Sequence, residues 1–311
     1  MADFAALINI LLQSILVICV TVIATMGISL IFKTSNTTNF AQGSIAALGC
    51  YLVTYLMQWV PGMPYYVAIF IGLLAGVGLG LLIDIGIFRH GKNVNTVGKQ
   101  IITMGMVTLI IGVIPLIFGA KETPQIPAFM EGNWDWTIGM DDFGNPIVLT
   151  VTKHSVICLA ITIVVIGLLF VLLYKSKWGL GVRATASNES TASIIGINTY
   201  VITATSWAIA AALAVLAGVM LNAGTTQLTS TFMTKTQVNS FLGGILGGFS
   251  TFYGPIIGAI IVPFVTEFVG FFGIYANFFI AWKEVIVYGI LLIIILIKPQ
   301  GLFGKKIVKK V

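Results

Sequence analysis

Three cysteines, Cys19, Cys50 and Cys158, and two histidines, His90 and His154, are the side chains best suited to act as nucleophile, base or soft-metal ligand. Their spacing supports none of these roles. The cysteines lie inside apolar runs, with no metal-type pairing and no disulfide framework, so they read as small buried hydrophobes. The histidines lie at the edges of apolar runs, far apart, and belong to no H-E-x-x-H or Cys/His pattern. No G-x-x-x-x-G-K-[ST] phosphate loop occurs, so the chain carries no P-loop ATPase motif. No metal, cofactor or catalytic residue is expected. Within the apolar runs the ionisable residues are Asp84 and Glu267, with the pair Lys283-Glu284 at an edge. That is too sparse for a membrane enzyme. It is also thin for an ion-coupled transporter, whose relays carry several intramembrane charges, although sodium held by carbonyls at broken helices stays open. The chemistry to expect is movement of a solute.

The elements that hold these residues are membrane helices. Of 311 residues, 58% are apolar and 8% charged, and the mean hydropathy is +1.05. A soluble chain carries about 25% charged residues. Apolar segments lie near residues 7–32, 40–60, 64–88, 100–118, 154–174, 200–222, 238–273 and 281–298. They are continuous rather than alternating, which favours helices over a barrel. The expectation is an all-α, polytopic transmembrane bundle of about eight spans, one domain over 1–311. The first segment lacks a basic n-region and a small-residue cleavage site, so it reads as a span rather than only a removed signal. The 238–273 segment is too long for one span and breaks at Gly254-Pro255, which predicts a short membrane-dipping element followed by a full helix.

Charge sets the topology. Residues 89–99 hold Arg89, Lys92 and Lys99; residues 175–199 hold Lys175, Lys177 and Arg183; the tail 298–311 holds Lys298, Lys305, Lys306, Lys309 and Lys310. Segment 119–150 instead holds Glu122, Glu131, Asp135, Asp141 and Asp142 against Lys121. The positive-inside rule then predicts an external N-terminus, an external, partly ordered loop at 119–150 and a cytoplasmic C-terminus. Trp134 and Trp136 suit that loop to a membrane interface or a contact surface. The net charge of +6 follows from short juxtamembrane loops that meet anionic lipid, and no nucleic-acid partner is expected.

Two Gly-rich polar stretches fall at membrane depth, "NTTNFAQGSIAALGCYL" and "VNSFLGGILGGFSTFYGP". At an offset of 200 residues Asn39 meets Asn239, Gly43 meets Gly243 and Ile45 meets Ile245. Interrupted segments in corresponding places of two halves predict a substrate path between pseudo-repeated halves, with Asn39, Phe40, Gln42, Gly43, Asn239, Gly243 and Glu267 as candidates. Glu267 must face protein or water, as a hydrogen-bonded structural group or as part of the path. Gly72, Gly76 and Gly80 have the spacing of close helix packing. The remaining polar stretch, "GVRATASNESTASIIGIN" from Gly181 to Asn198, carries helix punctuation. Ser187 or Asn188 can cap, Glu189 suits the first turn, and Gly196 suits a left-handed C′ position. Asn198 or Thr199 can start the next span, and Ala192 with Ile195 or Ile197 offers a small apolar face. A docking helix and a solvated loop both fit.

At these residues the chain resembles the permease subunits of the branched-chain amino-acid ABC importers, the LivH type. The resemblance rests on Gly179, Arg183-Ala184, Asn188, Ala192 and Gly196-Ile197-Asn198, on "NFAQG" at Asn39 to Gly43, on "LGGILGGFSTFYGPIIGA" at Leu242 to Ala259, and on "WKEVIVYGILLIIILIKPQGLFG" at Trp282 to Gly304. Glu267 falls where the family also tends to carry a Glu, and Gln42 stands where the family often has His. The resemblance implies a multi-pass permease of the bacterial plasma (inner) membrane. It implies pairing with a second homologous permease, two cytoplasmic ATP-binding subunits and an external solute-binding protein, in contact with membrane lipid. It also implies that Arg183, Ala184, Asn188, Glu189, Ala192, Gly196 and Asn198 engage the ATPases. "NESTASIIGI" is similar to the corresponding loop of ribose-type sugar permeases, and urea and short-amide importers share the permease type. Those substrates, or a stand-alone secondary transporter, are the alternatives.

Overall fold

Apolar runs too long for strands and free of internal polar breaks give helices almost throughout the computed structural model, which describes residues 2–91, 94–119, 126–140, 146–224 and 228–304. Lys92, Lys121, Glu122, Asp141, Asp142, Lys305, Lys306, Lys309 and Lys310 lie outside the described residues. The first half comprises α1 (Ala2–Ser35), α2 (Gln42–Trp59), α3 (Tyr65–Ile83) with a π-helical turn at Asp84–Phe88, and α4 (Thr96–Phe118). A hairpin of β1 (Asn133–Met140) and β2 (Pro146–Thr152) leads to α5 (Lys153–Lys175), α6 (Lys177–Ser187) and α7 (Glu189–Ile194). The second half comprises α8 (Thr199–Asn222), α9 (Thr234–Gly247), α10 (Gly254–Phe271), a 3₁₀ turn at Phe272–Ile274, and α11 (Asn277–Ile297).

Among the described residues, seven helices are long and apolar enough to cross a membrane: those built on α1, α3, α4, α5, α8, α10 and α11. The other two long elements are the interrupted ones. With 14 residues α9 rises about 21 Å, short of a hydrocarbon core of about 30 Å. The break expected inside 238–273 falls at residues 248–253, between α9 and α10.

The halves are interleaved. α1 and α8 pack on each other at the centre; α1 also lies against α9 and α10, while α8 lies against α2 and α3. Each half thus lends its first helix to the other's second and third. The two central helices run in opposite senses. Near the start of α1, Asn9 Nδ2 donates to Val148 O at 2.7 Å and Asn9 Oδ1 accepts from Thr150 N at 2.9 Å. At that same end the close of α8 meets the start of α5, with His154 Nε2 3.0 Å from Met220 O. At the opposite end Lys33, late in α1, donates to Ser250 O at 2.9 Å, and Arg89 lies over the ring of Tyr200 at the start of α8. This is the arrangement of inverted-topology repeats.

Glycines set the spacing at the crossings. A Cβ on Gly76 would lie 2.9 Å from Val215 Cγ2 and 3.2 Å from Ala211 O, so α3 and α8 touch almost backbone to backbone, as the small-residue spacing predicts. The hairpin was not expected in segment 119–150. Trp134 pairs with Val151 and Trp136 with Leu149, and alternate residues Trp134, Trp136, Ile138 and Met140 are exposed. Asn9 occupies the free edge of β2, in place of a third strand.

Candidate functional site

Two helix starts converge inside the bundle. The chain leaves α1 through Asn36, at a positive φ of 49°, and runs non-helically to Ala41 although Thr37, Asn39 and Ala41 are all fully buried. Buried backbone outside a helix needs partners from side chains. Asn39 supplies one, its Oδ1 accepting from Ala41 N at 3.0 Å while its Nδ2 donates to Gln42 Oε1 at 3.0 Å. Gln42 then donates from Nε2 to Ala210 O of α8 at 2.8 Å. Gly27 of α1 is what leaves room for that amide, since a Cβ there would collide with it.

The first N–H groups of a helix have no partner within it. No side chain of its own segment caps α2. Gln237, in the first turn of α9, does so from the other half: its Oε1 accepts from Gly43 N, and its Nε2 donates to Phe40 O. Sequence reasoning missed this residue. Its only signal was a Gln in the polar run "TKTQVNS" that opens a shortened helix.

Around this junction lies a small cavity of about 80 Å³ lined by Phe40, Gly43, Ser44, Val107, Thr234 and Gln237, among others. A larger apolar groove of about 620 Å³ adjoins it, sharing Phe40, Val107, Thr234 and Gln237 and adding Phe241, Leu242 and Ile245. Ligand sites of this kind are apolar surfaces with a few convergent polar groups, and Gln237, Ser44, Ser230, Thr231 and Thr234 are among those groups here.

The expected path residues divide. Phe40 and Gly43 line the cavity, and the ring of Phe40 lies 4.9 Å from that of Phe241. Asn39 and Gln42 stand behind it and hold the loop. The other three serve elsewhere. Gly243 is a packing residue: a Cβ there would lie 2.7 Å from Ala259 Cα, on the backbone of α10. Asn239 Oδ1 accepts from Tyr288 OH of α11 at 2.7 Å. Glu267 is bound by Lys283 of α11 through both carboxylate oxygens, at 3.0 and 2.8 Å. An acid at this depth is tolerable because the cation on the adjacent helix compensates it.

The polar stretch between the halves holds two helices, α6 preceding the one expected between the caps at Asn188 and Gly196. α6 is anchored. Ser176 Oγ accepts from Gly179 N at 3.0 Å, Trp178 Nε1 donates to Thr205 Oγ1 at 2.8 Å, and Arg183 donates to Leu173 O. Ala184 O accepts from Asn188 N at 3.1 Å, where the chain turns. Asn188 Oδ1 then caps α7 by accepting from Thr191 N at 3.0 Å, with Glu189 in the first turn. Gly196 sits at φ +90°. Ile197 N donates to Ala192 O and Gly196 N to Ser193 O, a Schellman termination. Asn198 caps α8 through Val201 N. One expectation is corrected: Ala192 faces inward, 2% exposed, and cannot present a docking face. Ile194 and Ile195 are the outward residues, 84% and 68% exposed.

Compared with known proteins, residues 10–296 match the family model described as "Branched-chain amino acid transport system / permease component". The chain is 27% identical over 292 residues to the probable branched-chain amino acid transport permease protein LivH of Methanocaldococcus jannaschii, covering 91% of this chain and 88% of that one. It is 24% identical to the high-affinity branched-chain amino acid transport system permease protein LivH of Escherichia coli K12, covering 92% of each. It is 23% identical to the corresponding protein BraD of Pseudomonas aeruginosa, again covering 92% of each. No solved structure gives a significant match.

Proposed function

The chain belongs to the branched-chain amino acid transport permease family, and from that premise we propose that it is the transmembrane permease subunit of a binding-protein-dependent ABC importer for branched-chain amino acids. The observation that carries this reading is the reach of the family match, from α1 to the end of α11, so that it includes both the α2–α9 junction and the α6–α7 segment. The subunit performs no chemistry. Two cytoplasmic ATP-binding subunits, a second homologous permease and an external solute-binding protein complete the machine in the bacterial plasma membrane.

Physical features support the assignment. The α7 end carries Arg89, Lys99, Lys175, Lys177 and Arg183, and the hairpin end carries Glu131 and Asp135. The positive-inside rule makes the α7 end and the C-terminus cytoplasmic and the N-terminus external. The groove at Phe40, Val107, Gln237 and Phe241 suits an aliphatic side chain. The hairpin, with Trp134 and Trp136 exposed, is the surface for the binding protein. α7 offers Ile194 and Ile195 to an ATPase groove, and a push there reaches α8 through the ties that α6 makes to α5 and α8. Ile202, for example, lies over Gly181 of α6. α8 in turn holds Gln42 through Ala210 O. A change in the ATPases shifts the permease only through contacts that differ between its two states.

The test is uptake of labelled leucine, isoleucine and valine in cells whose own route is deleted, with this chain, its ATPases and its binding protein restored. Uptake must need this chain; restoration of sugar or urea uptake alone would reassign the substrate. Changing Ile194 and Ile195 together to Glu should leave permease abundance normal, strip the ATPases on purification and cut uptake at least roughly tenfold, the equivalent of about 1.4 kcal/mol of lost coupling. Retained ATPases with normal uptake would remove α7 from the coupling role. A cysteine at Glu131 should react with an impermeant maleimide added to intact cells. Reaction only in inside-out vesicles would invert the topology.

A further inference from the structure

The α7 end of the bundle contains a second cavity, of about 250 Å³, separate from the α2–α9 junction and lined by Ser35, Asp84, Arg89, Lys99, Glu189 and Tyr200, among others. Five segments build it: the close of α1, the π-helical turn, the start of α4, α7 and the start of α8. It holds two carboxylates and two cations, of which only Asp84 and Arg89 form an ion pair among the described residues, and a loose one. Asp84 and Arg89 stand 3.8 Å apart, beyond hydrogen-bond length. Lys99 and Glu189 enter no ion pair among the described residues. Arg89 Nε and Ser35 Oγ are buried with no hydrogen-bond partner among the described residues. A cluster that served only to tie helices together would satisfy such atoms internally.

We propose that this cavity binds a small zwitterion, its acid group between Arg89 and Lys99 and its ammonium between Asp84 and Glu189. The balance of two positive and two negative groups selects a ligand carrying one charge of each sign over a simple anion or cation. The volume, below the roughly 300–1,000 Å³ of drug-sized sites, limits it to a small metabolite or a headgroup. Two sources have this chemistry: a free α-amino acid, and the headgroup of phosphatidylethanolamine. Because α7 forms one wall and the π-helical turn of α3 the other, a bound zwitterion holds the two together. A ligand that binds this state better than the other biases the transport cycle, and by linkage the cycle alters its affinity in return.

The proposal rests on the permease reading only in naming this end cytoplasmic, so its test does not use transport. The chain with its ATPases, in non-ionic detergent stripped of phosphatidylethanolamine and without binding protein, is titrated with labelled leucine. Saturable binding is expected, weakened at least roughly tenfold by Arg89→Gln and by Glu189→Gln. Leu168→Ala, on an exposed face of α5, should leave it unchanged. Melting curves identify any variant that merely unfolds, and Lys99→Gln then stands in for it. Acetate and methylammonium, each with one charge, should compete poorly. Equal competition, or leucine binding indifferent to Arg89→Gln and Glu189→Gln, overturns the proposal. If leucine does not bind, nanodiscs decide: a melting rise with phosphatidylethanolamine over phosphatidylglycerol, lost in Glu189→Gln, assigns the headgroup. Absence of both effects overturns the proposal while leaving the import reading untouched.

Discussion

Gly43 and Gly243 occupy matching places in two similar stretches of sequence, yet they do opposite things. Gly43 is near the start of α2, and a Cβ there would meet first the tip of a side chain, Gln237 Oε1, at 2.6 Å, with Gln237 Cβ and Met233 Cβ at 3.3 and 3.4 Å. Gly243 is late in α9, and a Cβ there would meet the main chain of α10 at Ala259. One glycine borders a cavity whose wall can move; the other lets two helices touch where nothing can move. The repeat is real at the level of helices, since α1 lies on α9 and α10 as α8 lies on α2 and α3. It is not real at the level of the 200-residue offset. The structural partner of α2 is α9, which begins at Thr234, so Asn39 precedes one helix while Asn239 lies inside the other.

The largest expected effect tests the rigid side of this comparison. Gly243→Val should force α9 and α10 apart, at an overpacking cost of about 1–3 kcal/mol or more. The reading is a fall in membrane-inserted protein and in melting temperature, with uptake lost in proportion. A fully abundant, thermally normal Gly243→Val protein that fails to transport would return Gly243 to the path and restore the symmetry of the two glycines.

Next in size is Gln237→Leu, which acts on the movable wall. It removes the acceptor for Gly43 N–H and the donor to Phe40 O. Leaving such buried groups without partners costs about 1–3 kcal/mol. Uptake should fall more than abundance does, because the loop from Asn36 to Ala41 loses its tie to the other half while the helices keep theirs. If uptake and abundance fall together, Gln237 is only mortar between the halves.

The sequence made some of this legible and hid the rest for identifiable reasons. Caps are local, so Asn188, Gly196 and Asn198 could be placed from their neighbours alone, and the structure puts each where its chemistry suits. The inward turn of Ala192 was not legible, because which side of a six-residue helix faces the bundle depends on α8 and not on α7. The helix α6 was not read from the sequence, and it contains Gly179 and Gly181. They are needed because a Cβ on Gly179 would run into the carbonyls of Leu172 and Leu173. The hairpin had a period-two signal in Trp134, Trp136, Ile138 and Met140, obscured by the acidic loop around it. Gln237 was missed, and Lys283 was grouped with Glu284 rather than with Glu267, because their partners are set by tertiary contacts.

The smallest effect separates the two glycines most cleanly. Gly43→Ala adds one methyl against the end of a flexible side chain, so Gln237 can swing aside and give up its bond to Gly43 N. Stability should fall by about 1 kcal/mol, the worth of a single hydrogen bond, with a partial loss of uptake. In a Gln237→Ala background the bond and the nearest obstacle are gone already, leaving only Cβ contacts at 3.3 and 3.4 Å, so Gly43→Ala should then cost much less. The two changes should be non-additive by about 0.5–1 kcal/mol, within the range for residues in contact. Gly243→Ala allows no such rescue. Its obstacle is the backbone at Gly258 and Ala259, which no side-chain deletion removes, so its cost should persist in the Gln237→Ala background and add simply. Melting curves of the six proteins (parent, three single variants and two doubles) settle the matter. Strict additivity for Gly43→Ala would mean that Gln237 does not guard that position, and the distinction between a movable and a fixed wall would fall.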